Sequence, residues 1–177
     1  TGDTNNEWDV FVYDRQTGQT SRVTVDSLGV QGNYGGSYPS LSSSGRYVAF
    51  ESYSTNLVSG DTNGKQDAFV HDRQTGLTSR VTMDSAGVQG NGSSYHPFIS
   101  ADGRYTAFSS QATNLVPGDT NADQDIFVHD RQTGQTSRVS VDSAGAQGNN
   151  NSYDPSISTD GRYVAFYGSA TNLVTGD

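Results

Sequence analysis

The sequence of 177 residues has no cysteine and only one lysine, one methionine and one tryptophan. The lack of cysteine excludes disulfide bonds, thiolate metal sites and cysteine nucleophiles. No run of about 18 apolar residues occurs, so we expect no membrane-spanning helix. Acidic residues outnumber basic ones by 19 to 10, for a net charge of -9. Since phosphate backbones require a basic face, this charge argues against a nucleic-acid partner.

Hydrophobic residues make up only 31% of the chain, but their arrangement is not that of a disordered protein. Ten tyrosines and seven phenylalanines occur in segments where valine and aromatic residues alternate. Such alternation is typical of β-strands. No segment of ten or more residues has the periodicity of a helix. The sequence therefore predicts an all-β fold.

The chain is built from internal repeats. The string Gly-Asp-Thr-Asn begins at Gly2, Gly60 and Gly118, a step of 58 residues each time (60 − 2 and 118 − 60). A fixed period of this length indicates a repeat architecture with one structural unit per repeat. We expect a single array whose three repeats span about 1–58, 59–116 and 117–174.

Each repeat contains four candidate strands. In the first repeat these include Asp9–Asp14, apolar on both faces, and Ser21–Val25, apolar on one face only. In the second repeat, Pro97–Ser100 and Arg104–Phe108 flank a turn at Asp102-Gly103. Asp-Gly between two strands predicts a tight hairpin, because both residues tolerate positive φ. The unit is a four-stranded antiparallel meander, which is typical of a β-propeller blade.

The residues also resemble a known family. Ser-Ala-Asp-Gly-Arg-Tyr-Thr-Ala-Phe at 100–108, followed by Asp-Ile-Phe-Val-His-Asp at 125–130 and then Thr-Gly, is similar to the TolB-type propeller repeat. The resemblance covers all three repeats. It implies blades with the Asp-Gly hairpin as the inner strand pair and the other two strands outside. It implies no catalytic residue, since propellers of this type serve as scaffolds, binding proteins and some hydrolases.

In this blade order the chain starts with two outer strands and stops after two inner ones. It would then hold two intact blades and two complementary half-blades. Three blades are too few for a ring, and unpaired half-blades leave strand edges exposed. We therefore predict a homodimer of six blades around a twofold axis, in which Pro155–Phe166 of one chain completes Asp9–Val25 of the other. The alternative is that the chain is part of a larger propeller.

One segment has the spacing of a metal site. Asp119, Asn121, Asp123 and Asp125 place oxygen ligands at alternate positions, as at the start of a Ca²⁺ loop. The alternative is that these side chains bond to nearby backbone amides as Asx-turns. The sequence indicates no other cofactor.

A second candidate site lies where the inner strands would open onto a central channel. Tyr38, Tyr95, His96, Tyr153 and Asp154 cluster there in the aligned repeats. A polar and aromatic channel mouth is a plausible ligand site. The alternative is packing of loop tips.

Two long loops per repeat, such as Ser85–Ser94 and Ser109–Gln124, would lie on one face of the disc. Loops longer than a fold requires often carry recognition. They are rich in Asn, Gly, Ser and Gln, which suit glycan or peptide ligands. Low lysine, absent cysteine and abundant Asn, Gly and Thr favour a secreted or cell-surface bacterial protein.

We interpret the chain as a non-enzymatic binding or scaffold propeller that uses its long-loop face and central channel. Catalytic sites are usually assembled from residues that occur once, whereas the reactive side chains here recur in every repeat. One alternative is a carbohydrate-binding, lectin-like or glycan-active propeller. Another is an engineered or excised repeat array without an activity of its own.

Overall fold

The structure is a computed structural model that describes residues 2–176. These residues form twelve β-strands and include no helix that is long and apolar enough to cross a membrane. The strands are β1 (Phe11–Asp14), β2 (Gln19–Arg22), β3 (Gly36–Leu41), β4 (Tyr47–Ser52), β5 (Asp67–Asp72), β6 (Thr78–Arg80), β7 (Ser94–Ile99), β8 (Tyr105–Ser110), β9 (Asp125–Asp130), β10 (Gln135–Arg138), β11 (Ser152–Ile157) and β12 (Val164–Gly168).

The strands are arranged in four antiparallel sheets. Strands β3 to β6 form one four-stranded sheet and β7 to β10 form another, each with sequence neighbours paired. Strands β1 and β2 form a two-stranded sheet, as do β11 and β12. This arrangement confirms the predicted all-β fold with four-stranded antiparallel blades. The first and last sheets have the strand content of an outer half-blade and an inner half-blade.

The Asp-Gly turn forms the predicted hairpin between β7 and β8. Gly103 has φ +78°, and the Asp102 carboxylate accepts hydrogen bonds from the Ser100 hydroxyl at 2.6 Å and the Arg104 amide at 2.9 Å. A Cβ on Gly103 would lie 2.0 Å from the ring of Tyr47, which belongs to the preceding blade. The turn therefore also forms part of the contact between neighbouring blades.

The hydrophobic core lies between adjacent sheets rather than within any one of them. Between the two complete blades, Val70 packs in the same cluster as Ile99 and Phe108. Between the first half-blade and the blade that follows it, Val10 and Val23 pack with Phe50 and other residues. Each blade therefore depends on its neighbour for burial, as expected of stacked repeats that cannot bury a face alone.

The outer edge strands differ from the sequence prediction. The first was predicted to span Ser21–Val25, whereas β2 ends at Arg22. The Val25 amide donates to the Val23 carbonyl at 2.7 Å, and this tight turn directs the chain away from the sheet. Val25 then forms an isolated bridge with Gln31. The apolar alternation continued past the strand because Val23 is buried in the core between blades.

Candidate functional site

The inner strands β3, β7 and β11 lie side by side and share an unusual backbone feature. Each contains a bulge just before a proline, at Tyr38, His96 and Asp154. These three residues have φ of 51°, 51° and 47°, in the left-handed region that residues other than glycine rarely adopt. Such backbone costs on the order of 1–3 kcal/mol per residue and concentrates at functional sites.

The three strained residues are linked through His96, which contacts both of the others, although each is one repeat away from the next. The rings of Tyr38 and His96 have centroids 4.1 Å apart. His96 Nδ1 forms a hydrogen bond with the Asp154 carboxylate. We call Tyr38, His96 and Asp154 the channel triad. The triad differs in identity at every repeat, whereas most of the surrounding sequence is repeated closely.

The channel triad lines an open groove of about 330 Å³. Its other walls are apolar rings and one hydroxyl. Tyr38 is 56% exposed, so the part of its side chain that His96 does not cover is available to a ligand. The groove therefore combines an aromatic face, an imidazole and a carboxylate with a mostly apolar floor formed by Pro39, Ser40, Pro97, Phe98 and Pro155.

The other two residues predicted for the channel mouth have different surroundings. Tyr153 packs against Tyr167 on the neighbouring strand, with ring centroids 5.5 Å apart. Tyr95 is half-buried, and its carbonyl accepts a hydrogen bond from the Ser109 hydroxyl at 3.3 Å. Partial desolvation and the nearby Asp154 carboxylate raise the pKa of Tyr167. The structure thus joins three of the five predicted residues into one cluster and places the two tyrosines at its side.

Glu51 is a site residue that the sequence did not reveal. It is buried, and its carboxylate accepts hydrogen bonds from Gln66 Nε2 at 2.6 Å and from the backbone amide of His96 at 2.7 Å. This second contact fixes the strained backbone of the triad. The sequence carried one signal for this residue: the aligned position holds a different residue in each repeat, namely Glu51, Ser109 and Tyr167.

The segment predicted as a calcium site has protein partners. The carboxylates of Asp119 and Asp125 both accept hydrogen bonds from Gln147 Nε2, at 2.9 and 2.8 Å. Arg138 lies 3.5 and 3.4 Å from the same two carboxylates. Asn121 accepts a hydrogen bond from the Asp123 amide at 3.1 Å, as in an Asx-turn. Burial raises the pKa of Asp125.

Within residues 2–176 no group of three or more His, Cys, Asp or Glu side chains is arranged to hold a metal ion. The contact between Asn121 and Asp123 is a hydrogen bond from a backbone amide to a side-chain oxygen, so it does not bring two side-chain oxygens together. The calcium site stays a prediction. The alternative of an Asx-turn accounts for the bond between Asn121 and the Asp123 amide, whereas Asp119 and Asp125 are bound by the side chains of Gln147 and Arg138.

The long loops are held by hydrogen bonds among their own side chains. The backbone amide of Asn91 donates to Asn114 Oδ1 at 2.9 Å, and the side-chain Nδ2 of Asn91 donates to the Thr113 hydroxyl at 3.0 Å. In return, the backbone amide of Thr113 donates to Asn91 Oδ1 at 2.8 Å. The same three bonds recur at Asn149. The asparagines that made these loops look like a recognition surface are thus occupied in fixing the loops.

Four-stranded antiparallel sheets joined in sequence, with their inner strands side by side, define a β-propeller. The chain is similar to the crystal structure of TolB from Acinetobacter baumannii, with a TM-score of 0.56 and 19% sequence identity over 93% of this chain. It is also similar to the crystal structure of the tricorn protease, with a TM-score of 0.52 and 13% identity over 89% of this chain.

These similarities confirm the predicted TolB-type propeller fold. The chain spans 33% of the TolB chain and 13% of the tricorn protease chain. No family model matches the sequence, and no curated protein matches it. At these levels of identity the similarity concerns the fold alone.

Proposed function

We propose that this chain is a non-enzymatic β-propeller binding module that recognises a peptide at the channel triad. The observation that carries the proposal is the clustering of Tyr38, His96 and Asp154 on strained backbone at equivalent positions of three repeats. Most other polar groups recur in each repeat and bond to one another. At the triad the repeats diverge, and its side chains line a groove that is open to a ligand.

The chemistry of the groove favours a peptide with a basic side chain. The exposed part of Tyr38 can accept a cation, and Asp154, which His96 contacts, supplies a carboxylate in the same groove. Proline and phenylalanine rings form the floor, on which the aliphatic part of an arginine or lysine can pack. The net charge of -9 attracts cationic partners over a longer range.

Carbohydrate binding is the second candidate, favoured by the exposed ring of Tyr38, on which a sugar could stack. A glycan-active or proteolytic role would require reacting groups that bind substrate and change it. The secreted or cell-surface location proposed for this binding module rests on composition.

Binding of short peptides should be measured by calorimetry, using a pair of equal length in which arginine in one is replaced by glutamate in the other. We expect binding of the arginine peptide only. Asp154→Asn should weaken it about ten-fold, because one charge-assisted contact is lost. Asp123→Asn is the matched control, since it removes the same charge elsewhere and should leave affinity unchanged.

Equal binding of both peptides, or equal loss in both variants, would contradict recognition at the triad. Binding of neutral oligosaccharides but not peptides would favour the carbohydrate alternative. Mass spectrometry of the recovered ligand checks the non-enzymatic part of the proposal, for which we expect an unchanged mass.

A further inference from the structure

Each complete blade shows how an inner strand pair joins an outer strand pair. In the junction between β4 and β5, Phe50 pairs with Phe69, and their ring centroids lie 5.8 Å apart. Arg46 at the end of the junction donates two hydrogen bonds to the Asp72 carboxylate, at 2.8 and 2.7 Å. These contacts combine a buried aromatic pair with a charge pair that fixes the register.

The junction between β8 and β9 repeats this pattern. Phe108 and Phe127 have centroids 6.0 Å apart, and Arg104 donates to the Asp130 carboxylate at 2.9 and 2.7 Å. Burial of each aromatic side chain contributes about 1.5–3 kcal/mol. The pattern of one phenylalanine pair and one arginine–aspartate pair is therefore the unit that holds a blade together.

The two half-blades carry both sides of the same pattern without a partner. On β12, Phe166 and the preceding Arg162 occupy the positions of Phe50 and Arg46. On β1, Phe11 and Asp14 occupy the positions of Phe69 and Asp72. In the structure β1 and β12 belong to different sheets. Phe11 is 53% exposed, whereas its counterpart Phe69 is fully buried.

A second feature distinguishes the unpartnered edges from the internal junctions. In both complete blades a glutamine contacts a polar side chain across the junction: Gln66 with Glu51 at 2.6 Å, and Gln124 with Ser109 at 2.7 Å. The position of these glutamines is occupied in the first repeat by Trp8, which is 83% exposed.

The other member of the same pair is also changed. The position of Glu51 and Ser109 is occupied in the third repeat by Tyr167, which is 60% exposed. Both members of the pair are therefore polar inside the chain and aromatic at its two open edges. Two aromatic rings would contact each other where the internal junctions have a hydrogen bond.

We propose that a second copy of this chain completes both half-blades, with β12 of each copy pairing antiparallel to β1 of the other. Phe166 then packs on Phe11 of the second copy, Arg162 pairs with Asp14 of the second copy, and Tyr167 contacts Trp8 of the second copy. The two junctions are equivalent, so the assembly is a closed ring of six blades with twofold symmetry.

A second copy is the occupant that the residues specify. A carboxylate for Arg162 and an aromatic side chain to oppose Tyr167 across the junction are both present on the opposite edge of the same chain, at the register that the internal junctions define. The ring also places Tyr38 of the second copy beside Asp154, by the same step that brings His96 beside Tyr38. This interface does not depend on the proposed peptide binding.

The test is the mass in solution over a wide range of concentration, by light scattering and sedimentation. We expect twice the chain mass of 18.8 kDa. Trp8 supplies an independent signal because it is the sole tryptophan. Its emission should be blue-shifted in the dimer and move to the red on dilution, with the secondary structure unchanged.

Charge variants test the register. Arg162→Asp places two carboxylates together at each junction and should give a monomer, whereas the double variant Arg162→Asp with Asp14→Arg should restore the dimer. Trp8→Gln should weaken the dimer at least ten-fold. Leu28→Gln is the matched control, because it also replaces an exposed apolar side chain by glutamine. Leu28 lies next to Ser27, which contacts Thr78 of the same chain.

A folded monomer at all concentrations, with solvent-exposed Trp8, would overturn the proposal. So would a three-chain ring or an open series of masses, because neither is a closed pair. A wild-type dimer that Arg162→Asp leaves intact would overturn the proposed interface. Peptide binding and chain mass are measured separately, so failure of the interface and failure of the proposed function are distinguishable.

Discussion

The complete blades and the terminal half-blades are built from nearly the same residues but differ in burial. Every residue of β5 is buried, whereas the corresponding strand β1 alternates between exposed and half-buried residues. Strand β4 is buried over five of its six residues, and the corresponding β12 is mostly exposed. The same sequence pattern thus gives a core strand or a surface strand, and the adjacent strand pair decides which.

The largest effect should come from removing the same aromatic side chain in the two settings. Phe127→Ala empties a fully buried position and should cost about 3–5 kcal/mol of unfolding free energy. Phe11→Ala should cost the separated chain less than about 1 kcal/mol, because Phe11 is largely exposed there. Urea denaturation at low chain concentration measures both. Equal losses would mean that burial does not distinguish the two regions.

A pH effect should follow from His129, which is buried in a complete blade where the first half-blade has Tyr13. Burial lowers the pKa of His129 from 6.5 to about 4. Since the unfolded chain then binds a proton more readily, stability is present above pH 6.5 and is lost as the pH falls toward 4. The loss should amount to roughly 3 kcal/mol.

Denaturation curves between pH 7 and 4 measure this loss, with His129→Gln as the variant in which it should shrink. His71, whose pKa burial also lowers, accounts for a further part of the slope. Asp125 contributes in the opposite sense, because its pKa is raised, but its contribution cancels between the wild type and the variant. An identical slope in both proteins would contradict the burial of His129 as its cause.

A smaller effect should separate two glycines at equivalent turns. Gly45 and Gly103 both have positive φ, so alanine costs about 1 kcal/mol at either position. A Cβ on Gly103 would collide with Tyr47, whereas one on Gly45 would meet only Arg73 at 3.7 Å. Gly103→Ala should therefore cost about 2 kcal/mol more of unfolding free energy than Gly45→Ala, and its melting temperature should be the lower of the two. The reverse order would mean that the blade contact at Gly103 is loose.

The smallest effect should appear where the two regions do not differ. Asn91 in a complete blade and Asn149 beside the last half-blade make the same loop hydrogen bonds. Asn91→Ala and Asn149→Ala should each cost about 1 kcal/mol or less, and by the same amount. Hydrogen exchange at Thr113 and Thr171 reports each loop separately. Unequal protection would show that the loops also depend on a complete blade.

Much of the fold was predictable because its signals are local. The short apolar run in Asp67–Asp72 predicts a strand, the Asp102-Gly103 pair predicts a hairpin, and the repeat predicts how strands follow one another. The predicted end of the outer edge strand, Val25, was wrong by three residues, because β2 ends at Arg22. Buried valine continues past the strand there, so polarity alone could not define the boundary.

The candidate site was predictable only in part. His96 and Asp154 were predicted for the channel mouth because they occupy aligned positions of the repeats, but their hydrogen bond joins strands one repeat apart. Glu51 looked like an ordinary strand residue, since its contact with the His96 amide crosses from one blade to the next. Contacts of this kind depend on how blades stack, which no local pattern encodes.

The sequence by itself determined the strands, their order and the division into two complete and two partial blades, because alternation, turn residues and the repeat act over a few neighbouring positions. Only the tertiary structure decided which phenylalanines are buried, which glutamines meet a polar partner, and that Tyr38, His96 and Asp154 form one cluster. The physical reason is that burial and side-chain contact belong to a pair of surfaces. A strand brings one surface, and the neighbouring strand or blade supplies the other.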